Sequence, residues 1–160
     1  MIIEMNYSAE TIAAKQTLLH NARQILKNEF IGINAVIDNV IDSLTTWFLF
    51  PELQERPLVI NLWGMTGVGK TALVKRLSSL LNYDKKLFRF DMGDKKTDYR
   101  SMRDILRGLF NNNSGKPYML MMDEFQYAKT KNEDDCEIDN PFSRVLWDLL
   151  DSGKFEAFRE

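Results

Sequence analysis

Apolar positions early in the chain recur at helical spacing, and later ones gather into short unbroken runs. Ser8 can cap a first helix running to about Lys27, with Ile12, Leu18, Leu19, Ala22, Ile25 and Leu26 near one face. Phe30-Ile31-Gly32-Ile33 breaks that pattern. A second helix is predicted from about Asn34 to Phe48, carrying Ile37, Val40, Ile41, Leu44 and Trp47 at helical spacing before Pro51 stops it. Pro51 to Pro57 is a short polar connection, and Leu58-Val59-Ile60-Asn61-Leu62-Trp63 then has the form of a buried parallel strand. Ala72 to Leu81 returns to helical spacing through Leu73, Val74, Leu77, Leu80 and Leu81.

The second half alternates in the same way. Leu87-Phe88-Arg89-Phe90-Asp91 predicts a strand, Asp98 caps a helix through about Phe110, and Asn111 to Pro117 is a loop. Tyr118-Met119-Leu120-Met121-Met122 is an apolar strand ending in Asp123-Glu124. Thr130 to Asp139 is polar and mostly acidic and predicts a loop. Asn140-Pro141 opens a last helix, with Asn140 as cap and Pro141 in the first turn, and Gly153 closes it. Strands alternating with helices give an α/β class with a parallel sheet.

Between the first strand and its helix lies Gly64-Met65-Thr66-Gly67-Val68-Gly69-Lys70-Thr71, a complete P-loop. Its four fixed positions in eight would arise by chance in a chain of this length with odds of roughly one in 200. Gly64, Gly67 and Gly69 let the backbone turn tightly and aim its N–H groups at phosphate oxygens. The helix that begins near Lys70 adds the positive end of its dipole. Lys70 reaches toward the β- and γ-phosphates and the Thr71 hydroxyl toward Mg²⁺. The expected nucleotide contacts are therefore the loop residues 64–69, including Met65, Thr66 and Val68, followed by Lys70, Thr71 and Ala72.

Tyr118 to Glu124 supplies the matching half of such a site. The carboxyl ends of strands in a parallel α/β sheet face the ligand crevice. Asp123 is expected to hold Mg²⁺ through water, and Glu124 to orient or deprotonate an attacking water. Phosphoryl transfer to a substrate hydroxyl does not need that glutamate, so Glu124 favours hydrolysis.

The 160 residues have room for one domain, and the formal net charge of −2 argues against a dominant nucleic-acid surface. One cysteine, Cys136, excludes an internal disulfide framework and fits a reducing compartment. The N-terminus lacks a basic region followed by an apolar run, and Val36 to Phe50 is interrupted by Asp38, Asn39 and Asp42, so neither a signal peptide nor a membrane span is predicted. A soluble cytoplasmic protein, or a piece of one, is the expectation. Some residues invite chemistry without supporting it. His20 has no partner acid nearby in sequence, Cys136 reads as an ordinary thiol, and Met119, Met121 and Met122 read as packing. Lys95, Lys96, Arg100, Arg103 and Arg107 are interleaved with Asp94, Asp98 and Asp104, as on a solvated face.

With both motifs placed, the chain resembles the AAA+ ATPases, and within them the Clp/HSP100-like branch. Phe30-Ile31-Gly32-Ile33-Asn34-Ala35-Val36-Ile37 is similar to the family segment that holds adenine, which implies Ile31 and Gly32 as base contacts. Phe88-Arg89-Phe90-Asp91-Met92, the approach Lys116-Pro117-Tyr118, and Phe142 to Gly153 resemble later elements of that branch. The resemblance covers roughly residues 28–155 and implies a three-layer α/β/α P-loop NTPase with a parallel sheet, preceded by N-terminal helices. It implies an N-terminal helix over 1–28 and a partial ATPase domain over 29–160, with ATP/ADP and Mg²⁺ as ligands and a homo-oligomeric full-length form.

Three departures stand out. The connection from Met102 to Tyr118 lacks the aromatic-Val-Gly pore loop, and about Lys129 to Asp139 forms an acidic insertion. The chain also stops before the sensor-1 strand, arginine finger and lid, which implies a fragment truncated before the strand that separates the two motif strands. A second resemblance is to NB-ARC and related STAND switches, through Leu62 to Leu73. It implies a nucleotide-dependent switch with slow hydrolysis.

Overall fold

The computed structural model describes residues 8–65, 67–92, 104, 106–109, 111, 117–125, 130–131, 137–138 and 149–151. The chain divides into two compact units, Met1–Gln54 with Ile60–Lys85, and Glu55–Val59 with Lys86–Glu160.

The first unit is helical: α1 (Ala9–Glu29), α2 (Asn34–Leu49) and α3 (Lys70–Leu80). Ser8 caps α1 as its sequence predicts, its Oγ accepting from the Thr11 N–H at 3.1 Å. The helix runs two residues past the expected Lys27, and the Phe30 N–H still reaches the Leu26 carbonyl at 2.8 Å. Gly32, at φ +87°, then lets the chain reverse into α2. α1 packs against both α2 and α3. Leu19, Ala22 and Leu26 of α1 are buried, as are Ile37, Val40, Ile41, Leu44, Phe48 and Leu49 of α2 and Leu73 and Leu77 of α3. Each buried leucine or isoleucine contributes about 1.5–3 kcal/mol, so this apolar seam holds the unit.

Charges tie the wetter side of the helix pair. Lys27 Nζ lies 2.7 Å and an Arg23 nitrogen 3.4 Å from Asp38 Oδ1, and Arg23 also pairs with Asp42. Such partly exposed pairs are each worth about 0–1 kcal/mol, enough to favour one register of α2 on α1 but not to hold the pair together. At the far end of α3, Asn82 takes a left-handed φ of 61°. The Tyr83 N–H then donates to the Ser78 carbonyl at 2.7 Å and the Asn82 N–H to Ser79 at 3.1 Å, a paired closure of the last turn. The closure places the Tyr83 ring 5.4 Å from Trp47 and 6.1 Å from Phe48, joining the end of α3 to α2.

One expected element is corrected. Leu58 to Trp63 forms no strand, and among the described residues nothing pairs with it. Leu58, Val59, Ile60 and Trp63 are exposed. Hydropathy alone does not make a strand, because its N–H and C=O groups need a neighbouring ladder. This run also crosses the boundary between the two units.

The second unit contains β1 (Leu87–Asp91) and β2 (Met119–Asp123), a parallel pair in the register Leu87 with Met119 through Asp91 with Asp123. β2 starts one residue later than expected, and its ladder extends by the Met92 N–H donating to the Asp123 carbonyl at 3.0 Å. Phe88, Phe90, Leu120 and Met122 pack on one side with Met92, Leu106, Leu109 and Leu149. Asp104, Leu106 to Leu109 and Asn111 are helical, within the helix expected over 98–110, and so are Leu149 to Asp151, within the last expected helix. The caps Asp98 and Asn140, with Pro141 and Gly153, lie outside the described residues.

The acidic segment expected as a loop instead contains an antiparallel pair, β3 (Thr130–Lys131) and β4 (Glu137–Ile138). Polar composition hides such a pairing because it is made by backbone groups. The described elements are thus helices with a small parallel sheet, an α/β composition compatible with a P-loop fold.

Candidate functional site

The loop from Gly64 to Gly69 has the backbone that its glycines require. Gly64, Gly67 and Gly69 sit at φ +152°, +85° and +89°, a region costly for other residues, and Gly69 is the cap from which α3 begins. The Leu73 N–H donates to the Gly69 carbonyl at 2.9 Å, so the helix is already wound at its first turn. Lys70, Thr71 and Ala72 form that turn. Lys70 turns back over the loop, and its Nζ donates to the Gly64 and Met65 carbonyls at 2.7 Å each. Gly64, Met65 and Lys70 are therefore brought together. Met65, Gly67 and Val68 are exposed, and Thr66 lies outside the described residues.

The turn between α1 and α2 adjoins this loop. A Cβ on Gly69 would lie 3.9 Å from the Phe30 ring, which places that ring beside the start of α3. Ile31 follows it at 83% exposed, and Gly32 has open space around it. Glu29 and Arg76 tie the end of α1 to the flank of α3 through two hydrogen bonds, of 2.8 and 2.6 Å. That tie was not legible in the sequence, because only the packing of α1 on α3 sets the two residues opposite each other. His20 is exposed on α1, in keeping with an ordinary surface histidine.

Asp123 and Glu124 belong to the second unit. Asp123 ends β2 and Glu124 follows it at φ 54°, a left-handed conformation unusual for glutamate. Its N–H donates to Asp123 Oδ1 at 3.1 Å. Asp123 Oδ2 accepts from Arg89 at 2.8 Å, and Arg89 also lies 3.8 Å from Asp91 Oδ2. One faint signal of Arg89's placement is legible in the sequence: a lone cation inside an apolar strand, two positions before an aspartate.

A P-loop backbone with its lysine folded inward, and a strand delivering a carboxylate pair, are parts suited to binding phosphate and a hard cation. No described helix is long and apolar enough to cross a membrane. No curated protein and no solved structure matches the chain. Residues 60–156 match the family described as ATPases associated with various cellular activities (AAA), over more than half of the chain. The match starts in the apolar run before the P-loop and continues past Glu124. The chain belongs to that AAA family of nucleotide-binding ATPases.

Proposed function

We propose that the chain binds ATP at residues 64–72 and hydrolyses it with Mg²⁺, as the nucleotide-binding part of a larger AAA+ ATPase. The observation that carries this reading is the loop itself, with three positive-φ glycines leading directly into α3 and the Lys70 ammonium held over the loop carbonyls. In this reading the loop N–H groups bind phosphate oxygens, and Lys70 leaves the Gly64 and Met65 carbonyls for the β- and γ-phosphates. Thr71 and Asp123 offer hard oxygen donors of the kind Mg²⁺ prefers. When bound, that ion withdraws charge from the phosphate oxygens. Glu124 accepts a proton from, or orients, the attacking water.

Ile31 and Gly32 are assigned to the base, supported by the Phe30 ring beside Gly69. The wider assignment is to a three-layer α/β/α domain of the Clp/HSP100-like branch, working in the cytoplasm and assembling with copies of itself. The branch rests on the resemblance of residues 30–37, 88–92, 116–124 and 142–153, the compartment on the single cysteine Cys136, and self-assembly on the family resemblance. The deciding experiment is isothermal titration of the chain with ATP, with and without Mg²⁺. Saturable binding at about one nucleotide per chain supports the reading, and the absence of heat under both conditions overturns it.

A further inference from the structure

Residues two apart along a strand share a face, so Leu87, Arg89 and Asp91 of β1 lie on the same side as Met119, Met121 and Asp123 of β2. The other side is apolar, with Phe88, Phe90, Leu120 and Met122 packed in the core cluster. Asp91 and Asp123 are register partners at the carboxyl ends of parallel strands, which lie about 4.8 Å apart. Two carboxylates at that spacing repel, and Arg89 lies between them, 2.8 Å from Asp123 Oδ2 and 3.8 Å from Asp91 Oδ2. Asp123 is only 17% exposed at its side chain, so its charge is poorly served by water alone. Its second oxygen is engaged by the Glu124 N–H at 3.1 Å.

We propose that Arg89 is a resident counter-ion of Asp123 that a divalent cation has to displace, with Asp91 as the second carboxylate setting how readily this happens. The inference rests on the reading that Asp123 serves Mg²⁺ during nucleotide binding. With Arg89 in place the three side chains carry one net negative charge, and without it they carry two. The more negative set draws a divalent cation more strongly. Arg89 therefore keeps the carboxylate oriented and neutralised without metal, at the expense of metal affinity.

The test is equilibrium binding of a fluorescent ATP analogue to the chain while Mg²⁺ is titrated from a chelated baseline. Arg89→Gln is expected to lower the half-saturating Mg²⁺ roughly threefold to fivefold, the range an ion pair near a protein surface can supply. Arg89→Lys keeps the charge and should stay within about twofold of wild type. Asp91→Asn should move the midpoint the other way, about twofold to fivefold upward. Opposite shifts support the inference, and general loss of structure, checked by circular dichroism, does not produce them. A wild-type midpoint in Arg89→Gln overturns it. Should that variant not fold, an Asp91→Asn midpoint at or below wild type overturns it equally. A wild-type chain that never binds the analogue overturns the parent reading and this inference with it.

Discussion

Glu29, the last residue of α1, and Arg76, on α3, meet through two parallel hydrogen bonds: Nε to Oε2 at 2.8 Å and a terminal nitrogen to Oε1 at 2.6 Å. This two-point geometry fixes orientation as well as distance. It joins the end of the first helix to the helix that begins in the phosphate-binding loop.

That pair sets a pH dependence. The hydrogen bond from Arg76 holds the Glu29 carboxyl below its ordinary value of 4.5; desolvation opposes the shift, and the Arg76 charge adds to it. A lowered folded value means that the pair's contribution is fully present above pH 4.5 and is lost as pH falls through the folded value. Thermal melts of wild type and Glu29→Gln should therefore differ at neutral pH and converge in acid. Added salt should narrow the difference at neutral pH. A constant gap across the acid range would show that Glu29 acts through packing.

Ile37 of α2 is fully buried. Ile37→Ala should lower the unfolding free energy by about 2–5 kcal/mol, the usual range for removing a buried isoleucine, as read by urea denaturation. Ala35→Gly, on the exposed side of the first turn of the same helix, should cost at most about 1 kcal/mol, the helix-propensity difference in a helix interior. Equal losses would mean that α2 is not seated on its apolar face.

The roles proposed for Lys70 and Glu124 separate binding from turnover. Lys70→Ala is expected to abolish ATP binding in isothermal titration. Glu124→Gln should keep binding and lose phosphate release by about 10²-fold or more, the scale of a general base. Equal loss of nucleotide affinity in both variants would remove Glu124 from the water-directing role.

Trp63 is 87% exposed and immediately precedes Gly64, whereas the Trp47 ring lies tilted against Tyr83 at a centroid distance of 5.4 Å. Nucleotide binding at the loop should change tryptophan emission, and Trp63→Phe should abolish that change. A signal surviving in Trp63→Phe would place the responding tryptophan elsewhere.

What was legible in the sequence was mostly local. Ser8 declares a helix start through an oxygen that reaches three residues on, and the loop glycines declare a backbone that other residues adopt only at a cost. The strands at 87–91 and 119–123 were legible because their apolar runs are short and each ends in an aspartate. Relationships that need a partner were harder to see. Leu58 to Trp63 has a strand's composition without a pairing neighbour, and β3 and β4 have a pairing that their composition conceals. Arg89 meets Asp123 only because the register of β1 on β2 sets them on one face.

Lys70 Nζ rests on two backbone carbonyls of its own loop. In the proposed reading, an ammonium with such a berth exchanges one set of oxygens for another whenever it takes up or gives up a phosphate, and no bare cation is exposed. Nucleotide affinity is then a difference between two satisfied arrangements, so the same berth that weakens binding also eases departure.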